Sequence, residues 1–185
     1  MVFLIIVLVV LVVIVAWLVG MYNSLVRAKN EVGNAWSQID VQLNRRHDLI
    51  PNLVETVKGY MTHERETLEA VVRARQQAVQ ISGSIEDKAR VENALSQTLR
   101  SLFAVSENYP QLKANENFLA LQEELTSTEN KIGFSRQYYN DSVLNLNNRI
   151  QMFPTNMFAT AFNFKPAAFF EVETAEARKP VAVKF

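Results

Sequence analysis

Two histidines, His47 and His63, are the first residues to test for chemistry, because the chain contains no cysteine and so no thiolate nucleophile or disulfide. His63-Glu64-Arg65-Glu66-Thr67 begins like a zinc-peptidase helix. H-E-x-x-H needs its second imidazole one turn on, and Thr67 stands there instead. A carboxylate-bridged di-iron pair needs Glu three residues before each His, and Asn44 and Tyr60 hold those places. Both histidines therefore read as exposed or helix-terminal. No G-x-S-x-G elbow, Walker loop or G-x-G-x-x-G occurs, and Ser82-Gly83-Ser84 reads as a turn. Carboxylates such as Glu123 and Glu124 fall on an expected solvated face, whereas acid–base work needs them in a cleft. The expectation is a protein with no catalytic residues, no metal site and no cofactor.

The elements that would position any site begin with residues 2–19, VFLIIVLVVLVVIVAWLV, a run of eighteen apolar residues with no charge, Pro or Gly. At about 1.5 Å per residue such a helix is roughly 27 Å long, close to a hydrocarbon core of about 30 Å. The run reads as a membrane anchor over 1–21, with Trp17 and Tyr22 suited to an interfacial aromatic belt. A signal peptide fits badly, since no Lys or Arg precedes the run and no A-x-A-like site follows it. Arg27 and Lys29 lie just past the exit, so the N-terminus is expected outside and the rest in the cytoplasm.

Nineteen basic residues balance nineteen acidic ones. With no basic stripe, nucleic acid is not an expected partner. Five Gly and five Pro leave little room for a loop-rich fold, and the chain reads as all-α. Apolar spacing marks four helical stretches after the anchor: 22–46, 49–80, one starting at the N-cap Ser84, and one between Pro110 and Pro154. The last carries Phe118, Leu125, Ile132, Tyr139, Leu146 and Phe153 at seven-residue steps, a coiled-coil-like seam. Short connections favour antiparallel neighbours, so residues 22–153 are expected to form an up-and-down four-helix bundle. Pro51 either breaks the first long helix or kinks it; the break is preferred, with Asp48 as N-cap.

Residues 154–185 change character, holding six of the eleven Phe. This irregular Phe-rich segment, with Phe162, Phe164, Phe169 and Phe170, should pack on the bundle or on a partner, and the closing PVAVKF could add as a short strand. Ala16, Gly20, Ser24 and Ala28 recur every four residues, either by chance or as a seam for helix association. Gly33, Gly59 and Gly133 read as close helix crossings, with hinges as the alternative. Asn-rich positions in the fourth stretch read as caps, turns and solvated sites, or as a polar interaction face.

The chain resembles the LemA family of bacterial membrane-anchored proteins. The resemblance rests on AWSQIDVQLNRRHDLIPNLVETVKGYMTHE at 35–64, ENYPQLKANENFLALQEELTSTENKI at 107–132, YYNDSVLNLNNRIQMFP at 138–154 and the later AFNFKPAAFFE. It implies a single N-terminal span and a cytoplasmic helical bundle, and it gives no catalytic residue to carry over. Within those blocks, Arg45, Arg46, His47, Asp48, Pro51 and Asn52 are expected at one bundle corner beside Glu107, Asn108, Tyr109 and Pro110. That corner is either a fixed structural junction or a contact surface. Two functions follow: a non-enzymatic membrane scaffold that assembles with further copies of itself, or an adaptor for another membrane protein such as a peptidase or transporter.

Overall fold

The computed structural model describes residues 1–171, and those residues contain helices and no strand. Six helices follow in order: α1 Val2–Lys58, α2 Arg65–Gln80, α3 Ile85–Ser106, α4 Pro110–Lys113, α5 Glu116–Gln151 and α6 Thr155–Ala161. The closing PVAVKF lies outside the described residues. Helix α1 begins with the apolar run, none of which is buried, so this stretch is a candidate membrane span.

The expected break at 46–48 does not occur. Helix α1 continues through Pro51 to Lys58. A proline inside a helix lacks the N–H that would reach the carbonyl four residues back, here that of His47. The Arg75 Nε from α2 donates to that carbonyl at 2.6 Å, filling the bond that Pro51 cannot make. The chain turns instead at 59–64, where Met61 N–H reaches Val57 O and Glu64 N–H reaches Met61 O.

Helix α3 starts where the N-cap places it: Ser84 is extended (φ −63°, ψ 166°) and its side chain accepts from Asp87 N–H at 3.1 Å. Helix α5 starts at Glu116, later than Pro110. Asn115 caps it, its Oδ1 accepting from Phe118 N–H at 3.0 Å, and α4 is a separate single turn. The seven-residue row is buried from Phe118 to Leu146, whereas Phe153, beyond the helix end, is 78% exposed.

The chain divides into two compact units, and α1 and α5 contribute to each. One comprises Met1–Asp40 and Phe134–Ala168. Its core takes Met21, Leu25, Ala28, Ala35 and Ile39 from α1, at helical spacing, against Tyr139, Val143 and Leu146 of α5 and Ala159 of α6. Trp36 meets Tyr139 edge-on at 5.7 Å between ring centroids. Past α6, Asn147 holds Ala167 through both its N–H and its carbonyl, and Tyr139 Oη donates to Ala168 O at 2.8 Å.

The other unit takes Val41–Gly133 and the segment from Phe169. Its core joins Ile50, Leu53 and Val57 of α1, Leu68 and Val71 of α2, Leu95, Leu99 and Leu102 of α3, and Phe118 and Leu125 of α5. Phe170 is buried here, and Asn93 donates to Glu171 O. The glycine expectation fails: a Cβ added at Gly33, Gly59 or Gly133 meets nothing within 4 Å, so none marks a close crossing.

Candidate functional site

Arg46 lies on the apolar row of α1, between Leu43 and Ile50, and its side chain is 1% exposed. A buried guanidinium must be paired and hydrogen-bonded to be tolerated. Three residues supply this. Nη2 pairs with Glu92 of α3, while Nη1 donates to Ser96 Oγ at 2.7 Å and to Glu129 Oε2 of α5 at 2.6 Å. Ser96 Oγ in turn donates a hydrogen bond to Glu129 Oε1 at 3.0 Å. His47, also buried, places Nε2 2.9 Å from Glu92 Oε1. Arg75 of α2 holds the His47 carbonyl, so the cluster draws on four helices of this unit.

The electrostatics follow from this packing. Burial on its own would raise the Glu92 carboxyl. The hydrogen bond from His47, the charges of Arg46 and His47, and the hydrogen bond from Arg46 together outweigh it and hold Glu92 below the usual carboxylate range. Glu129 is one-third exposed and is the outlet of the cluster to solvent. The arrangement spends its titratable groups on one another. What it can do is fix four helices against each other.

The neighbouring residues of the predicted corner point the other way. Arg45, Asp48, Pro51 and Asn52 are exposed on α1, with Arg45 pairing to Glu124 of α5. Val41, Arg45, Asp48 and Asn52 line a shallow groove of about 570 Å³. The expected corner between 45–52 and 107–110 is not formed. Residues 45–52 sit inside α1, and the 107–110 junction meets the turn after α1 instead. There Tyr109 Oη donates to Glu64 Oε1 at 3.2 Å and Asn115 Nδ2 to Tyr60 Oη at 3.0 Å, while Lys113 pairs with Glu107. Asn108 and Pro110 are exposed at this junction. The misplacement has one cause: a helix start at Pro51 ends the first helix at Arg46, twelve residues, roughly 18 Å of helix rise, short of its end at Lys58.

The four small residues of α1 separate. Ala28 is buried and Ser24 accepts a hydrogen bond from Arg149 of α5, whereas Ala16 and Gly20 are exposed. Of the phenylalanines, Phe162 and Phe164 meet Tyr22 at 4.9 and 6.0 Å between centroids. Phe169 is partly exposed and Phe170 fully buried.

His47, expected exposed or helix-terminal, is instead buried inside α1, and Glu92, Ser96 and Glu129 were missed. Their signal is a pair of opposite charges, Arg46 and Glu92, each interrupting an otherwise apolar helical row.

Comparison with known proteins adds three findings. The model of a family described as the LemA family matches residues 35–185. Protein LemA of Metamycoplasma hominis is 27% identical over 158 residues, covering 85% of this chain and 72% of the relative. Magnetosome proteins MamQ 1 and MamQ 2 of Paramagnetospirillum magneticum are each 22% identical, covering 87% of this chain and 68% of theirs.

Proposed function

The chain belongs to the LemA family, and on that premise we propose that it is a membrane-anchored, non-enzymatic helical scaffold that assembles with further copies of itself. Residues 2–19 hold it in the bacterial inner membrane, with the N-terminus outside and the remainder in the cytoplasm as an antiparallel up-and-down four-helix bundle. The observation that carries this reading is α1. One helix leaves an uncharged, wholly unburied apolar run and continues without a break to Lys58. Family membership and the likeness to the two magnetosome proteins support a membrane-associated role. The ionic cluster supports a structural one, because its charged groups pair internally rather than opening onto a cleft.

Self-association draws on the exposed part of the α1 stripe. Ala16 and Gly20 are free of contacts that would fill them, and a Cβ at Gly20 meets nothing within 4 Å. Small residues let spans approach closely, and confinement to a membrane raises effective concentration. The test is the mass of the full-length protein in mild detergent, corrected for bound detergent. A defined multimer is expected, and a monomer would overturn the scaffold.

The second reading, an adaptor for another membrane protein, is favoured by the groove along Val41, Arg45, Asp48 and Asn52. It predicts that charge reversal at Asp48 abolishes copurification of one partner while the melting temperature stays within a few degrees.

A further inference from the structure

The turn from α5 into α6 and the end of α6 expose a group of large apolar side chains. Met152 is 62% exposed, Phe153 78%, Met157 64% and Phe162 57%. Residues 150–164 contain no charged side chain. Within α6, Ala159 is buried and Phe158 half-buried, while Met157 faces outward. The chain is then returned by a left-handed residue, Asn163 (φ 54°). Phe164 N–H bonds Ala159 O at 2.8 Å and Asn163 N–H bonds Thr160 O at 3.3 Å, the paired closure of a Schellman C-cap.

This surface is continuous with the candidate span. Phe162 packs on Tyr22 and Arg149 on Ser24. Tyr22 lies three residues, about 4.5 Å of helix rise, past the last residue of the apolar run. The headgroup layer on each side of the hydrocarbon core is roughly 5–7 Å deep. The level that Phe162 reaches is therefore the level of the headgroups. Lys165 follows the uncharged stretch, and Lys29 Nζ stands 6.0 Å from the Phe164 ring, so cations border the patch.

We propose that the α5–α6 turn is a second lipid contact, with Phe153, Met157 and Phe162 seated in the headgroup and upper acyl layer beside the span. The proposal rests on the membrane-anchored reading and can fail without it. A bilayer is the occupant because the patch adjoins the span, carries no charge and is bordered by cations.

The chain has no native cysteine, so Phe153→Cys, Met157→Cys and Val9→Cys can each be labelled with an environment-sensitive fluorophore in the full-length protein. Each is reconstituted in vesicles of phosphatidylethanolamine and phosphatidylglycerol. All three side chains are exposed, so the variants should melt with the parent. The expected result is a blue-shifted emission at 153 and 157, several-fold quenching by lipid spin-labelled near the headgroup, and little quenching by iodide. If iodide quenches both and spin-labelled lipid quenches only the label at position 9, the proposal is overturned and the anchor stands. Labels at 153 and 157 shielded from both quenchers would mean a second copy or another protein covers the patch, which also overturns it. Failure of lipid spin-labelled near the end of its acyl chain to quench at position 9 would overturn the anchor as well.

Discussion

Arg46 is the residue whose loss should be felt most. Removing one partner from a buried ion pair leaves the other charge uncompensated, at about 3–5 kcal/mol. Arg46→Met should therefore lower the stability measured by denaturant unfolding by an amount of that order, whereas Arg45→Met, at a pair half exposed to solvent, should cost under about 1 kcal/mol. Glu92 adds a pH signature. Its carboxyl titrates lower in the folded protein than in the unfolded chain, so its stabilising contribution is complete above the unfolded value, about 4.3. That contribution is lost as pH falls through the folded value. The melting temperature should fall on acidification in that range, and Glu92→Gln should flatten this limb of the curve. Arginine is a surface residue by habit, which is why Arg46 read as a contact residue. Its placement between Leu43 and Ile50, on the core row, was the overriding sign, and only tertiary pairing with α3 and α5 explains how that place is tolerated.

At the scale of elements, local chemistry was legible wherever it was self-contained. Ser84 caps α3, and Ser84→Ala should cost about 1 kcal/mol. The seven-residue row of α5 was likewise readable, because it depends only on spacing along one helix. Pro51 was not. Whether a proline breaks a helix depends on what donates to the orphaned carbonyl, and here the donor, Arg75, is twenty-eight residues from that carbonyl along the chain. A double-mutant cycle tests this. Arg75→Leu should be costly beside Pro51 and less so in the Pro51→Ala background, where the backbone N–H is restored. A coupling of about 1–2 kcal/mol is expected; no coupling would mean that Arg75 stabilises α2 by other contacts.

For the whole molecule, zero net charge removes long-range repulsion between copies. If assembly runs through the span, Ala16→Leu with Gly20→Leu should lower the particle mass in detergent, while Ser24→Leu should disturb folding instead, because Ser24 already receives Arg149. The choice between the scaffold and the adaptor was not legible, since the stripe at Ala16 and Gly20 and the groove along Arg45 and Asp48 are both exposed, and neither names what covers it.

The buried cluster has one more consequence, which concerns alignment. Phe118, Leu125 and Ile132 repeat every seven residues, so α5 offers its neighbours nearly the same apolar surface after a slide of about 10.5 Å. Grease cannot tell the two positions apart. A guanidinium that must find Glu92, Ser96 and Glu129 together can, because a one-repeat slip strands it among hydrocarbon. Arg46 thus works as a key on an otherwise repetitive thread. Replacing Arg46, Glu92 and Glu129 together with apolar residues should leave a stable protein whose helices sample more than one alignment, visible as duplicated amide resonances.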